Sequence, residues 1–320
     1  MRLQSTVAVF ALCACALAQA GAGQVSSKFS TLLKKAEAGD VSAQFAAARD
    51  YELGQDVEQD YAQALRWYER AADRGEPASQ CNLGRMYASG EGVTRDDQTA
   101  VKWYLRSAVA KYAPGMTNLG YMYATGRGIA RNDEAAVHWY RKAVEMNYVP
   151  AMSNLGYMYQ HGRGVPQDDA AAVKLFMKAA HHGFAPAIGN LAEMYLHGHG
   201  IQQNAGEAIR LFQEAVAKGS KAASNNLGWC YEHGAGVAQN LAEAAKWYRM
   251  AAEAGVTEAQ YNLGLLYLDG RGVVRNEAEA QAWFSKAAQR GYGPAQDQMT
   301  LAGNRQGRHE SDISGEIKGP

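Results

Sequence analysis

The chain has 320 residues, of which 32 are Lys or Arg and 32 are Asp or Glu, so its formal net charge is zero. A balanced charge provides no overall field that attracts nucleic acid or an anionic membrane, and neither class of partner is expected. A chain of this length usually needs two domains, unless an internal repeat lets it grow by stacking small units.

Residues 1–20 have the pattern of a secretory signal peptide. One early basic residue is followed by the apolar run 7–17 and by the Ala-Gln-Ala sequence at 18–20, which marks a cleavage site. The run has eleven residues, too few to cross a bilayer, which takes about 20. We expect a secreted or periplasmic protein without an integral membrane segment after cleavage. Lipid anchoring through Cys13 or Cys15 and residence in the endoplasmic reticulum lumen are the alternatives.

Residues 21–40 are predicted to form a linker and an N-terminal capping helix, in which Leu32, Leu33 and Ala36 have helical apolar spacing. From residue 41 to 292 the sequence then repeats every 36 residues without an insertion. The seven repeats are 41–76, 77–112, 113–148, 149–184, 185–220, 221–256 and 257–292. One position holds Trp or Leu in every repeat, at Trp67, Trp103, Trp139, Leu175, Leu211, Trp247 and Trp283.

Each repeat contains two predicted helices joined by a Gly-x-Gly turn. The first helix carries Asn-Leu-Gly in most repeats, and its glycine, such as Gly84, favours close approach of another helix at a cost of about 1 kcal/mol relative to Ala. The second helix carries Trp followed by Tyr or Phe and ends at Gly, which Lys111 and Asn147 replace in two repeats. The predicted N-caps of the second helices are Asp60, Asp96, Asn132, Asp168, Asn204, Asn240 and Asn276.

One such hairpin cannot bury its apolar face alone, whereas seven stacked hairpins form a continuous core. The sequence therefore predicts an all-α protein, a right-handed α/α solenoid of seven helix-turn-helix repeats with a capping helix at each end. The C-terminal capping helix is expected at 293–302, and the polar residues 303–320 are expected to form a disordered tail.

The recurring pattern A-x-x-N-L-G-x-M-Y, followed by G-x-G-V and by A-x-x-W-Y-x-x-A-A, closely resembles the Sel1-like repeat, a branch of the tetratricopeptide-like superfamily. The resemblance implies a scaffold for protein complexes without a shared active site, whose first helices line a concave face. A secreted bacterial subgroup of similar layout is described as binding or cleaving β-lactams. Its members carry a disulfide-forming Cys pair in most repeats, and this chain has no such pairs.

The variable positions of the first helices are expected to form the ligand-binding groove, because the recurring positions build the core. The predicted partner-binding residues on the concave face are Tyr121, Tyr157, His161, Glu193, His197, Trp229, His233 and Tyr261. Aromatic side chains with a polar tip are common anchors of protein interfaces. The competing interpretation is that some of them only cover the neighbouring helix. The recurring Asn is interpreted as a hydrogen-bond donor to the adjacent hairpin rather than to a ligand.

Spacing disfavours two chemical alternatives. His161, His197 and His233 lie one repeat apart, about 10 Å, too far to share a zinc ion that His binds at about 2.0–2.1 Å. The Gly-x-Gly turns lack the preceding strand and the third glycine of a phosphate-binding loop. Cys81 falls on the groove face as a candidate exposed thiol, whereas Cys230 occupies a position held by Met or Leu in other repeats and is expected in the core.

We therefore expect a monomeric, non-enzymatic scaffold without a metal or a cofactor, which binds a protein or peptide in the concave face. One alternative is a β-lactam-binding, hydrolase-like secreted repeat protein. The other is a structural envelope adaptor that binds an acidic partner or an anionic membrane through its convex second helices. The basic positions of those helices are Arg66, Lys102, His138, Lys174, Arg210 and Lys246, with Arg70, Arg106, Lys142 and Lys178 four residues further on.

Overall fold

A computed structural model describes residues 26–300. The predicted signal peptide and the predicted tail lie outside the described residues. The described part of the chain is all-α, with no strand. Its helices are α1 Ser27–Glu37, α2 Val41–Leu53, α3 Tyr61–Asp73, α4 Pro77–Ser89, α5 Asp97–Val109, α6 Ala113–Thr125, α7 Asp133–Glu145, α8 Val149–Gln160, α9 Asp169–His181, α10 Ala185–His197, α11 Ala205–Ala217, α12 Lys221–His233, α13 Leu241–Glu253, α14 Thr257–Asp269, α15 Glu277–Gln289 and α16 at 293–300.

The described chain forms two compact units, which meet in sequence at the end of α9. In the N-terminal unit, residues 26–179, α1 packs on α2 and the chain continues helix on helix to α8. In the C-terminal unit, residues 180–300, α10 to α15 pack in the same consecutive manner. The core of each unit is a series of apolar clusters between neighbouring helices. The predicted all-α solenoid of consecutive helix-turn-helix repeats is confirmed.

Helix starts and stops follow the local sequence. The predicted N-caps accept hydrogen bonds from the first turn of each second helix, as Asn132 does from the backbone N–H of Ala135 at 2.8 Å. Five first helices of the repeats from α4 onward end at a glycine in the left-handed region, such as Gly126 with φ of 72°. Lys111 and Asn147, which replace glycine after second helices, adopt the same region with φ of 59°. The chain therefore keeps the turn geometry at these two positions despite the side chain.

The glycine of Asn-Leu-Gly faces the aromatic ring that follows the Trp position in the same repeat. A methyl group on Gly120 would lie 2.7 Å from Tyr140 Cε1, and one on Gly228 would lie 2.6 Å from Tyr248 Cδ1. The same contact occurs at Gly84, Gly156 and Gly264. Each ring is buried, with 0–3% exposure. The predicted close approach of helices at this glycine is confirmed, and it occurs between the two helices of one hairpin.

The second glycine of the turn serves a different contact. A methyl group on Gly128 would lie 2.1 Å from the carbonyl oxygen of Asp97, and one on Gly272 would lie 2.2 Å from that of Leu241. Both carbonyls belong to the first residue of the second helix in the preceding repeat. The Gly-x-Gly turn therefore joins consecutive repeats through backbone contact that only glycine permits.

Two helical glycines of the C-terminal unit give a matched test of this packing. Gly228→Ala should destabilise the protein by about 1–3 kcal/mol, because the Tyr248 ring has no room to move away. Its hydroxyl donates a 2.7 Å hydrogen bond to Glu232, which holds the ring in place. Gly189→Ala should instead stabilise by about 0.5–1 kcal/mol, since no heavy atom lies within 4 Å of the added methyl. Thermal unfolding followed by circular dichroism compares the two variants, and equal melting temperatures would contradict the packing role of Gly228.

Candidate functional site

The predicted partner-binding residues lie on the first helices at three repeat positions, which we call the stripe. The first position directly precedes the recurring Asn, the second follows Asn-Leu-Gly or Asn-Leu-Ala, and the third lies four residues after the second. Tyr121, Tyr157 and Trp229 are half-buried, and His161, His197 and His233 are exposed. Glu193 and Tyr261 are buried. The stripe thus offers aromatic rings and imidazoles at the surface of both units.

In the N-terminal unit, Tyr157 and His161 form a stacked pair on α8. Their ring centroids are 4.1 Å apart, with an interplanar angle of 28°. His161 Nδ1 lies 3.0 Å from the carbonyl oxygen of Tyr157. Since a carbonyl only accepts hydrogen bonds, Nδ1 carries the proton in this contact. The neutral ring therefore has Nε2 as its acceptor nitrogen.

In the C-terminal unit, Trp229 and His233 repeat this arrangement on α12. Their centroids are 4.4 Å apart at 21°, and His233 Nδ1 lies 2.9 Å from the Trp229 carbonyl oxygen. His197 on α10 approaches Trp229 from the preceding repeat, with centroids 6.3 Å apart. Burial, followed by the nearby charge of His199, lowers the pKa of His197 below its ordinary value. An indole between two imidazoles is the largest ring cluster on the stripe.

The expectation that every stripe residue faces outward is wrong for Glu193 and Tyr261. Tyr261 is 9% exposed and packs against Phe284 and Tyr292, with ring centroids 5.6 and 5.4 Å away. Glu193 is 6% exposed, and its carboxylate accepts a 2.7 Å hydrogen bond from the side-chain amide of Asn226. The Glu193 contact joins two consecutive repeats, whereas Tyr261 is covered by rings of its own repeat.

The recurring Asn donates to the preceding repeat, which confirms its structural interpretation. Asn262 Nδ2 donates to Asn225 Oδ1 at 3.1 Å, and Asn118 Nδ2 contacts the sulfur of Cys81 at 3.5 Å. In both cases the acceptor directly precedes the Asn of the repeat before. Gly189 occupies that place in the fifth repeat and offers no side chain, so Asn226 uses Glu193 one helical turn further on.

Arginines in the turns make contacts that the sequence interpretation missed. Arg163 donates to both carboxylate oxygens of Asp133, at 2.6 and 3.2 Å, and to the Ala124 carbonyl oxygen at 2.6 Å. Its guanidinium carbon lies 5.9 Å from the centroid of the Tyr157 ring. Arg127 makes the equivalent contacts with Asp97. The sequence pattern that indicates such a pair is a basic residue inside Gly-x-Gly together with an acidic residue 30 positions earlier.

Carboxylates inside these pairs are held in the ionised form. At Asp133 burial opposes ionisation, but hydrogen bonds from Arg163 and Arg131 outweigh it and lower the pKa to about 2. The hydrogen bond from Arg127 lowers the pKa of Asp97 in the same way. The turn arginines therefore act as ionic connectors between repeats, and each also lies beside a stripe tyrosine.

The same stripe position is ionic near the N-terminus. Arg85 occupies the place held by Tyr121 one repeat later, and it pairs with Glu52 at 2.5 Å and with Glu91. Glu52 also accepts a 2.5 Å hydrogen bond from the Tyr68 hydroxyl. These side chains are satisfied by one another, so the aromatic part of the stripe begins at the third repeat.

The comparisons with known proteins agree with this repeat organisation. The sequence profile of the Sel1 repeat matches residues 41–76, 77–108, 113–148, 149–184, 185–220, 221–256 and 257–292. The chain belongs to the Sel1 repeat family. A solved Sel1 repeat protein from Oxalobacter formigenes is 32% identical with a TM-score of 0.61, and the match covers 86% of this chain and 79% of that chain. Comparison with curated proteins gives no match.

A second solved relative is c5321 of uropathogenic Escherichia coli, described as a protective antigen displaying an SLR fold. It is 32% identical with a TM-score of 0.54, and the match covers 88% of this chain and 68% of that chain. Sel1 repeat proteins are generally scaffolds for protein interactions rather than enzymes, which indicates protein partners. Within residues 26–300, no helix has both the length and the apolar character needed to span a membrane.

The second helices of this Sel1 repeat protein use their basic residues locally. The guanidinium carbon of Arg70 lies 4.5 Å from the Trp67 ring centroid, and that of Arg106 lies 4.6 Å from Trp103. Lys142 and Lys286 cover Trp139 and Trp283 at 5.0 and 3.8 Å. Such contacts contribute about 0.5–1 kcal/mol at exposed sites. The predicted structural role of the Trp series is supported, and part of the basic row is explained by it.

Neither of the described cysteines presents a surface thiol. Cys230 is fully buried, as predicted, and burial raises its thiol pKa to about 12. Cys81 is 5% exposed, so the candidate exposed thiol on the groove face is wrong. The side chain points into the junction with the third repeat, where Asn118 contacts it. Reactive-cysteine chemistry therefore finds no support at either position.

Two arginines that share Asp133 separate a structural connector from a surface pair. Arg163→Gln should lower stability by about 1–2 kcal/mol at neutral pH, because it removes a bidentate contact and leaves a carbonyl unpaired. Arg131→Gln should cost well under about 1 kcal/mol, since Arg131 is 59% exposed.

Because the folded-state pKa of Asp133 is depressed, the Arg163 contribution is complete above the unfolded value of about 3.9. It should decline as the pH falls from there toward about 2. Urea unfolding of each variant from neutral to acidic pH measures both effects. Equal losses for the two variants would rule out a connector role for Arg163.

Proposed function

We propose that this Sel1 repeat protein is a non-enzymatic scaffold that binds a protein or peptide along the stripe on its first helices. The observation that carries the proposal is the pair of aromatic–imidazole stacks, Tyr157 with His161 and Trp229 with His233. One stack lies in each unit, and each leaves ring surface and an imidazole edge exposed. Amphipathic rings of this kind are typical interface anchors.

The recurring aromatic residues of the second helices take part in packing. The rings that follow the Trp position, such as Tyr140 and Phe176, are buried against glycine. Several Trp rings of the second helices, including Trp103 and Trp139, have a basic side chain over one face. The stripe therefore carries aromatic surface that the fold does not fully use, and this distinction favours the first helices over the second as the partner-binding face.

Rigid anchors also suit a binding role. Tyr157 is held by the stack with His161 and lies next to Arg163, which connects two repeats. Trp229 lies between His197 and His233. Anchors whose rotamers are already restricted lose little entropy when a partner binds. An extended peptide or a helix is a typical ligand for anchors that repeat helices present at their surface.

A paired substitution in each unit tests the binding face. Tyr157→Ala with Trp229→Ala should abolish capture of the partner from an extract of the cell that produces the protein. The matched control is Met177→Ala with Met250→Ala, which removes exposed apolar side chains, 41% and 50% exposed, from second helices of the same two units. The control should retain the partner, identified by mass spectrometry, and circular dichroism should show that both variants keep their helices.

The reverse result, loss of the partner only in the control variant, would assign binding to the second helices and support the envelope-adaptor alternative. A further measurement addresses the non-enzymatic part of the proposal. The protein should not hydrolyse nitrocefin, and turnover that a single stripe substitution abolishes would show that the non-enzymatic assignment is wrong.

We further propose, on the basis of the leader pattern in residues 1–20, that the protein acts outside the cytoplasm, and that it does so as a monomer. Intact mass of the protein recovered from its cell should correspond to a chain that begins at Gly21. A full-length mass would contradict export, and a lipid adduct on Cys13 or Cys15 would identify anchoring. Light scattering after size exclusion should give the mass of one chain.

A further inference from the structure

The stripe carries a titratable group at the same place in three consecutive repeats, namely His161, His197 and His233. All three are exposed and lie at or beside the C-terminus of a first helix. The following inference rests on the proposed function, since it concerns what the stripe binds. The charge of a suitable partner depends on which charged groups of the stripe are not already engaged in pairs within the protein.

The acidic groups near these imidazoles are engaged within the protein. Glu193 on α10 is buried and accepts from Asn226. Glu232, next to His233, accepts from the Tyr248 hydroxyl of α13 at 2.7 Å and from Arg271 after α14 at 2.9 Å. Arg271 also lies 3.3 Å from Asp269 at the end of α14. These carboxylates already have cationic or hydrogen-bonding partners.

The cationic groups beside the stripe are also engaged. Arg163, which lies next to Tyr157, is paired with Asp133 of α7. Arg127 beside Tyr121 is paired with Asp97 of α5. His199 lies with its ring centroid 5.7 Å from that of His197 and adds a further titratable ring in that turn. The charge of the stripe in repeats three to six therefore depends mainly on its imidazoles.

We propose that the stripe of each unit recognises an acidic segment of its partner and that binding strengthens as its imidazoles become protonated, His161 in the N-terminal unit and His197 and His233 in the C-terminal unit. Protonation of these imidazoles adds positive charge at three successive repeat positions, and histidine is the side chain that generally changes its charge between pH of about 5 and 8. Carboxylates of Glu and Asp remain ionised in that range, since their ordinary pKa values are about 4.3 and 3.9. As the pH falls, the charge of the repeat protein therefore changes while the charge of the acidic segment stays constant.

The local geometry permits this change without unfolding. At His161 and His233, Nδ1–H donates to the carbonyl one turn back, and this hydrogen bond forms with the neutral ring and with the imidazolium alike. Protonation converts the Nε2 edge from an acceptor into a charged donor that suits a carboxylate. The ring stays stacked on Tyr157 or Trp229, where a cation is favoured.

The pKa of His197 is lowered by burial and by the neighbouring His199, so its charge appears at a lower pH than the ordinary value of histidine. Binding should therefore continue to strengthen toward the acidic end of the range. This graded response distinguishes stripe recognition from a single titrating group.

Fluorescence anisotropy with a labelled peptide of alternating Glu and Ser tests the proposal on the full chain. We expect affinity to rise about tenfold between pH of about 7.5 and about 5.5. The same peptide with Gln in place of Glu should show no rise. Substitution of His161, His197 and His233 by Gln should remove the rise while leaving the folded state intact by circular dichroism.

The chain supplies a control with equal charge loss. His138, His181 and His182 are exposed on or after second helices, and their replacement by Gln removes the same number of titratable groups. This variant should keep the tenfold rise. If both triple variants lose the rise in affinity equally, the effect depends on overall charge and the proposal is overturned. The proposal is also overturned if the wild-type protein has the same affinity across the pH range.

The outcome is separable from that of the proposed function. If the stripe binds a partner but not acidic segments, the Tyr157→Ala and Trp229→Ala variant loses the captured protein at neutral pH while the Glu–Ser peptide shows no pH response. If acidic recognition is correct but the stripe is not the principal binding face, the peptide responds and the captured protein is retained.

Discussion

Close contact between glycine and a buried aromatic ring determines how the two helices of each hairpin lie together. In five repeats no side-chain carbon fits between the first helix and the ring, as the 2.6 Å approach at Gly228 shows. Because the ring sits directly on the helix backbone, the opposite side of the first helix is turned away from its partner. The stripe residue that follows the glycine, such as Trp229 or Tyr157, lies about 100° around the helix from this contact and stays half-buried.

Contacts between consecutive repeats use different chemistry and tolerate more variation. Asn262 and Asn226 reach different acceptors, Asn225 in one case and Glu193 in the other, yet both hold the preceding repeat. Turn arginines pair with an aspartate where one is present, and Arg271 uses Glu232 where Leu241 replaces it. Polar side chains of different lengths make these contacts between consecutive repeats. Their identity therefore varies without disturbing the hairpins themselves.

The difference between contacts within a hairpin and contacts between repeats explains which features the sequence could predict. The helices, their caps and the Gly-aromatic packing depend on residues close in sequence or at the same place in every repeat, so periodicity predicted them. The burial of Glu193 and Tyr261 depends on neighbours that differ from repeat to repeat. Asn226 reaches Glu193 because Gly189 offers no side chain, and Tyr292, the last residue of the seventh repeat, covers Tyr261. A pattern averaged over the repeats does not show that Glu193 and Tyr261 are buried. It does not show the Arg163–Asp133 pair either, because that pair joins two different repeats.

The stripe changes character along the chain because this packing between repeats changes. Arg85 is bound by carboxylates, Glu193 is withdrawn by Asn226, and Tyr261 is covered by other rings. What remains at the surface is the half-buried Tyr121, the stack of Tyr157 with His161 and the cluster around Trp229. Since the surrounding acids and arginines are already paired, the imidazoles are left to set the charge of this surface. The residues that vary between repeats thus divide into those that join repeats and those left for a partner, and burial in the folded chain is what separates them.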